Sequence, residues 1–389
     1  MPVSNKIAFF SGLGQGGAAK QVVETAHLLA AKGHCVQIMT YDRSKAFYQV
    51  RADIEIIDLQ GHIRNLPESM DKIVAVVRLS RAIRRTSPDV VISYTTMLNI
   101  FLGFAGHFIL RRRSALLIGS DRNSVLRYNQ SRVWVWICRF FYQGLDGVFS
   151  NSQLTVHNLS TLLRIPEAKT GFLANLLDTD YFCPLEARQP KQDQAWHILV
   201  PARVTAQKNQ KILVPVADYL IRQGKAFKFI LAGLQTQPYT AELKAMIEEK
   251  NMATYFELLG QQEDIRNWYR SSDLVFLPSL FEGLSNSLIE AMSCQSVVLC
   301  SDIPDFSAYI RDTQNGYLVA IDQPERIGDK IIAIMEAEQT VLDHVRAQAR
   351  NSVLEFGPQT YYQNMMLMID QFRQYKTLSK DIRSGRKSE

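Results

Sequence analysis

The chain has 389 residues, 47% of them hydrophobic and 21% charged. That length suits two domains of about 150 to 200 residues, and the composition excludes a disordered, collagenous or disulfide-rich protein. The net charge of +6 is uneven: residues 1–185 carry 21 Lys and Arg against 13 Asp and Glu, so the first half is the basic one.

The five cysteines, Cys35, Cys138, Cys183, Cys294 and Cys300, show no C-x-x-C spacing and read as reduced thiols of a cytoplasmic protein. Met1 to Lys6 leads straight into the apolar run Ile7–Phe10, so secretion is not expected. Leu98–Leu110, broken by Gly103, Gly106 and His107, is the longest apolar stretch and is short for a membrane span.

In chain order, short apolar runs alternate with helical patterns, which predicts parallel sheets with crossover helices. In the first half, strands are expected at Ile7–Phe10, Val36–Thr40, Ile54–Leu59, Val90–Ser93, Ala115–Ile118, Gly147–Ser150 and Thr170–Leu173. The clearest helix, Gly17 to Lys32, stops at Gly33. Before it stands Gly12-Leu-Gly-Gln-Gly-Gly17, a loop whose Gly16 and Gly17 bring backbone N–H groups close to a phosphate or a sugar. Asp42, near the end of the second strand, keeps a nicotinamide enzyme open as a rival.

Arg78, Arg81, Arg84, Arg85, Arg111, Arg112, Arg113, Arg122, Arg127, Arg132 and Arg139 are interleaved with Trp134, Trp136, Phe140, Phe141 and Tyr142. This mixture suits an anionic membrane surface or a phosphorylated acceptor; solvated helix faces over buried aromatics are the alternative. Asp178-Thr-Asp180 imitates a metal motif but has no second acidic or His cluster near it, so no metal is expected.

Pro184, Pro190 and the polar run to Gln194 mark a linker, separating domains at 1–185 and 190–358. Strands follow at Trp196–Val200, Phe227–Ala232, Tyr255–Leu259, Leu274–Leu277, Val297–Cys300 and Tyr317–Val319, and a final helix over 359–375 is expected to pack back on the first domain. Arg203 and Lys208 leave the carboxyl end of a strand, where doubly wound sheets bind ligands and two cations can clamp a diphosphate, although taken alone such a pair is more often a surface charge pair than a site. Pro278 then ends a strand, and Glu282-Gly283-Leu284-Ser285-Asn286 leads into a helix carrying Glu290. An anion there gains from the helix start, and the two carboxylates suit hydroxyls: Glu290 a ribose, Glu282 a sugar face. Without the other motifs, a helix-start charge and a solvated helix residue fit them equally well.

Arg203 with Lys208, the loop at Gly260, Ser272-Asp273 before a strand ending in Pro278, and Glu282-x7-Glu290 followed by Asn315-Gly316 together resemble the retaining glycosyltransferase family four, of the GT-B fold. The resemblance implies two Rossmann-like doubly wound α/β domains facing a cleft and closing over donor and acceptor. It implies no metal and no cofactor. In it Arg203 and Lys208 bind the donor phosphates, Glu290 binds the ribose and Glu282 lies by the sugar. The base lies near Gly260-Gln261-Gln-Glu263, and Gly283, Leu284, Ser285 and Asn286 line the donor site.

Ala202, Gln295 and Val297 depart from the family pattern. The N-domain His of many members is absent from Ile118-Gly-Ser-Asp121-Arg-Asn123, which leaves Asp121 or Arg122 for that place. The implied function is transfer of a hexose or N-acetylhexosamine from a nucleotide sugar, UDP-linked by expectation. The acceptor is a glycan or lipid-linked precursor of cell-envelope polysaccharide, lipopolysaccharide or capsule, at the inner face of the plasma membrane. A nucleotide-sugar 2-epimerase and a non-catalytic membrane-surface scaffold are the competing readings, and no nucleic-acid partner is expected.

Overall fold

The computed structural model describes residues 4–59, 68–110, 113–122, 131–185 and 194–384. Arg111, Arg112, Asn123, Arg127 and most of the expected linker lie outside them. The chain divides into two compact units, Met1–Leu176 with Pro358–Glu389, and Leu177–Gly357.

In the first unit all seven expected strands form: β1 Lys6–Phe10, β2 Cys35–Thr40, β3 Glu55–Asp58, β4 Val90–Tyr94, β5 Leu116–Asp121, β6 Gly147–Ser150 and β7 Thr170–Phe172. They pair in parallel in the order β3-β2-β1-β4-β5-β6-β7. Residues of β1 point alternately to the two faces. Ile7 and Phe9 join the core under helix Gly17–Ala31, while Ala8 and Phe10 join the one under the helices at 68–86 and 96–104. A sheet covered on both faces needs strands that are apolar throughout, which is why these runs stand out without alternation.

The final helix, Pro358–Ser384, packs on the first of those cores through Tyr361, Met365, Met368, Ile369 and Phe372. Two glycines of the sheet edge let it approach. A Cβ on Gly147 would lie 2.3 Å from Phe372, and one on Gly171 would lie 3.1 Å from Met368.

In the second unit, β8 Trp196–Val200, β9 Phe227–Ala232, β10 Phe256–Gly260, β11 Leu274–Leu277, β12 Val298–Ser301 and β13 Tyr317–Val319 form a parallel sheet in the order β10-β9-β8-β11-β12-β13. One core of buried residues includes Ile198, Phe229, Phe276, Leu299 and Ile331.

Residues 177–185, read from composition as the end of the first domain, belong with the second unit. Leu177 N–H donates to the Phe356 carbonyl at 3.1 Å, Arg350 donates to the Phe182 carbonyl at 3.2 Å, and Arg270 Nε donates to that of Cys183 at 2.7 Å. Pro184 follows directly on the last of these anchors, at Cys183.

Both sheets are doubly wound, and each has a point where the strand order reverses: between β1 and β4, and between β8 and β11. Loops leaving the carboxyl ends of such a strand pair diverge and leave room for a ligand.

Candidate active site

The loops after β8 and β11 meet at the reversal point of the second sheet. Leu280 N–H donates to the Gln207 carbonyl at 2.9 Å, and Gln207 Nε2 returns a bond to that of Phe281 at 3.0 Å. Ser287 Oγ, in the first turn of the helix Asn286–Ser293, donates to the Pro201 carbonyl at 2.7 Å. These bonds bring together groups separated by more than seventy residues. Lys208 Nζ pairs with Glu282 Oε1, with side-chain exposures of 16% and 8%. Ser279 Oγ donates to the same oxygen at 2.7 Å, and Glu282 N–H donates to Asp305 Oδ2 at 3.3 Å.

Arg203 is placed differently. Its carbonyl accepts from Gln210 Nε2 at 2.8 Å, and Val204 N–H donates to the Leu234 carbonyl at 2.8 Å, so the backbone is fixed on both sides. Its side chain is exposed and has no partner among the described residues. The backbone at Arg203 is thus fixed while its side chain is free to turn, and pairing with Lys208 removes the repulsion that Glu282 alone would exert on a diphosphate.

Glu290 is 6% exposed in the second turn of that helix, which excludes its reading as a solvated residue. The buried Tyr269 hydroxyl donates to its Oε2 at 3.0 Å. Burial and then the Glu290 charge push that phenol well above its usual range. Gly283, Leu284 and Ser285 are buried, and Asn286 is half-buried. Ser285 takes the N-cap position with its hydroxyl not used as a cap.

Gly260 ends β10 with φ at 70°, in the left-handed region. Its carbonyl accepts from Gly233 N–H at 2.8 Å. A Cβ on Gly233 would lie 2.1 Å from the Ala202 carbonyl oxygen, so β9 can pass beside the Arg203 loop only because that residue is glycine. Gln261 Oε1, next along, is buried without a hydrogen-bond partner among the described residues. Asn315 is a loop clamp: its amide accepts from Arg311 N–H at 2.7 Å and donates to the Tyr309 carbonyl at 3.0 Å.

In the first unit, a Cβ on Gly12 or Gly16 would meet nothing within 4 Å, and one on Gly14 would meet only the Lys45 carbonyl at 3.8 Å. Packing within the chain does not demand glycine at 12 or 14, whereas the φ of 155° at Gly16 by itself favours one. Gly16 precedes the helix that opens at Gly17. Asp42 is engaged locally, accepting from Ser44 N–H at 3.0 Å and Ser44 Oγ at 2.5 Å and pairing with Lys45 at 3.1 Å. The bond from Ser44 and then that from Lys45 hold its carboxyl below the usual range. A ribose would have to displace both partners.

Comparison with known proteins follows the same division. Residues 185–352 match the model of glycosyl transferases group 1, and residues 15–181 match that of glycosyltransferase family 4. The chain belongs to glycosyltransferase family four. The transferase is 22% identical over 343 residues to a Campylobacter jejuni enzyme named as an alpha-1,4-N-acetyl-D-galactosaminyltransferase acting on a diNAcBac-PP-undecaprenol glycan; the match covers 86% of this chain and 89% of that one. It is 20% identical over 200 residues to an Escherichia coli UDP-Gal:alpha-D-GlcNAc-diphosphoundecaprenol alpha-1,3-galactosyltransferase, covering 49% of this chain and 51% of that one. Its fold is that of Anabaena HepE, whose structure was solved with UDP-glucose: TM-score 0.78 at 17% identity, over 94% of this chain and 99% of that one. It has the two Rossmann-like domains of the GT-B fold.

One expected site residue of the transferase lies inside the protein. β5 runs three residues further than expected, to Asp121, which is 0% exposed and accepts from Thr96 Oγ1 at 2.9 Å and Tyr142 Oη at 3.3 Å. These interior bonds leave Asp121 no face toward a substrate. Asp178 folds onto its own turn, accepting from the N–H groups of Asp180 at 3.2 Å and Tyr181 at 2.9 Å, which explains the acidic pair without a metal.

Ser279, Tyr269, Gln207, Asp305 and Gly233 were not singled out from the sequence. A serine, a tyrosine or a glycine carries no signal until the strand order shows what it faces. Tyr269→Phe tests the support of Glu290: the KM for donor is expected to rise about three- to tenfold with kcat little changed, the loss of one hydrogen bond to a charged group.

Proposed function

We propose that this glycosyltransferase transfers a hexose or N-acetylhexosamine from a UDP-sugar to a lipid-diphosphate-linked glycan of the cell envelope, with retention of anomeric configuration. The observation that carries this reading is the Lys208–Glu282 pair at the reversal point of the second sheet, on the same loop after β8 as the exposed Arg203. Departure of UDP puts negative charge on the leaving diphosphate while positive charge builds on the sugar. Lys208 and the start of the helix at Asn286 meet the former from fixed positions, Arg203 swings in to join them, and Glu282 meets the latter. Glu290 is assigned to the ribose hydroxyls, and Gly16 and Gly17 to close backbone approach in the first unit.

The direct test is a melting-temperature screen across nucleotide diphosphates and their sugars. UDP is expected to stabilise the protein, and NAD is not. Stabilisation by GDP or ADP in place of UDP overturns the donor assignment, and stabilisation by NAD revives the dehydrogenase. Incubation with the UDP-sugar alone, followed by NMR, separates transfer from 2-epimerisation, because an epimerase converts the donor without an acceptor. Unchanged turnover in both Glu282→Gln and Lys208→Ala would remove the basis of the whole reading.

Membrane contact through the first unit belongs to the same proposal. Met97, Phe104, Phe108, Val133 and Trp136 are exposed large apolar side chains on segments 96–109 and 132–142. Trp136 stacks on Phe140 with ring centroids 5.7 Å apart, and Phe104 and Phe108 lie 4.8 Å apart. Arg132 and Arg139 on the second segment supply positive charge beside the aromatics. No helix among the described residues is long and apolar enough to cross a membrane. Trp136→Ala is expected to weaken sedimentation with phosphatidylglycerol vesicles about tenfold, equivalent to about 1.4 kcal/mol, with melting temperature unchanged. Equal binding by wild type and variant would rule out this face.

A further inference from the structure

Arg122 follows directly on β5 and is 8% exposed. Its guanidinium carbon lies 4.6 Å from the Tyr94 ring centroid and 5.8 Å from that of Phe149. Nη1 donates to Asn175 Oδ1 at 2.5 Å, while Nε and Nη2 are buried with no hydrogen-bond partner among the described residues. No carboxylate among those residues pairs with it, and the adjacent Asp121 is directed to Thr96 and Tyr142. Arginine cannot discharge by losing its proton, so a buried guanidinium with two unmatched donors is costly until an anion meets it. Aromatic faces attract the cation but accept no directed bond in place of an oxygen. Burial raises the Tyr361 phenol and Arg122 draws it back, so the cation's field is felt within this cluster.

Two further features lie at the ends of strands in the same sheet. Thr95, at the carboxyl end of the neighbouring β4, has φ at 89°, a conformation that a β-branched residue rarely adopts and that concentrates at ligand sites. The loop after β1 presents the open glycines 12, 14 and 16. The ends of β1, β4 and β5 are consecutive across the reversal point of the first sheet. Together they place accessible backbone, stored strain and an uncompensated cation where a doubly wound sheet takes its ligand.

We propose that Arg122 binds the diphosphate ester of the acceptor, with Nε and Nη2 donating to two oxygens of one phosphate. The proposal deepens the acceptor assignment above and rests on it. Two adjacent guanidinium N–H groups match two phosphate oxygens side-on, which lysine cannot do. Arg122 would thus select acceptors that carry the anion over neutral glycans.

The test uses the full chain saturated with UDP, titrated calorimetrically with farnesyl diphosphate and, separately, with inorganic pyrophosphate. Farnesyl diphosphate is expected to bind wild type and to lose about tenfold or more in Arg122→Gln, as for a charge-assisted hydrogen bond, with partial recovery in Arg122→Lys. UDP affinity is expected to stay within about twofold in both variants. Asn175→Asp guards against a folding failure. It is isosteric and hands Arg122 an internal counter-ion, so it is expected to raise the melting temperature while weakening farnesyl diphosphate about tenfold.

Unchanged farnesyl diphosphate affinity in Arg122→Gln and Asn175→Asp overturns the proposal. So does a fall in UDP affinity in Arg122→Gln matching that in Lys208→Ala, because the anion would then be the donor's own. Inorganic pyrophosphate binding as tightly as the ester also overturns it, since the site would then take a free anion. Failure of the donor reading shows elsewhere, as UDP affinity untouched by Lys208→Ala.

Discussion

Lys208→Ala is expected to lower sugar transfer about 10²- to 10³-fold, the usual loss when one preorganised group facing developing charge is removed. The same substitution takes the Lys208 Nζ away from Glu282, which is 7% exposed and also accepts from Ser279 Oγ. Removing one partner of a buried pair costs about 3 to 5 kcal/mol, and the partial exposure of Lys208 puts this pair at or below the lower end. Activity and stability therefore fall together, and a single variant cannot say which loss is catalytic. The double variant Lys208→Ala, Glu282→Gln separates them. With the carboxylate charge also removed, stability should recover, giving a coupling of about 0.5 to 3 kcal/mol in denaturant titrations, whereas transfer should stay at the level of Lys208→Ala or below. If the double variant regains turnover along with stability, Lys208 is a counter-ion for Glu282 and nothing more, and the diphosphate reading fails with it.

The parts of this site that were legible in the sequence are those that depend on one segment. β11 is the run Leu274-Val-Phe-Leu277, short and apolar throughout as suits a strand covered on both faces, and the helix after Ser285 carries its own spacing of Leu288, Ile289 and Met292. Arg203 and Lys208 stood out as two cations at the end of such a strand, although taken alone they read as a surface charge pair more readily than as a site. The parts that were illegible depend on which loops the strand order brings side by side. Glu290 looks equally good as a solvated residue until Tyr269, twenty-one positions earlier, is found donating to it from the interior. Gly233 is an ordinary glycine after a strand until the Ala202 carbonyl is found within 2.1 Å of where its Cβ would be. Asp121 failed for a related reason. Three polar-looking residues after Ile118 read as a loop, yet Gly119, Ser120 and Asp121 continue the strand beside β4 and β6, and Thr96 and Tyr142 supply the hydroxyls that make a buried carboxylate tolerable.

Phe372→Ala is expected to cost the first unit about 3 to 5 kcal/mol, the range for emptying a buried aromatic site. Phe372 is fully buried near the middle of the helix Pro358–Ser384, which returns after the whole second unit has been threaded and closes the core over β6 and β7. The loss can be assigned to one unit because the four tryptophans divide evenly, Trp134 and Trp136 in the first and Trp196 and Trp268 in the second. In a Trp196→Phe, Trp268→Phe background, urea titration by fluorescence follows the first unit alone, and its midpoint should fall while the slope is unchanged. Gly147 supplies the control. Its Cβ would lie 2.3 Å from the ring, so Gly147→Ala alone should destabilise by about 1 to 3 kcal/mol through overpacking. In the double variant the new methyl enters the space that the ring has left. The combined loss should be smaller than the sum of the two, and strict additivity would mean that the helix does not seat against β6 through this contact.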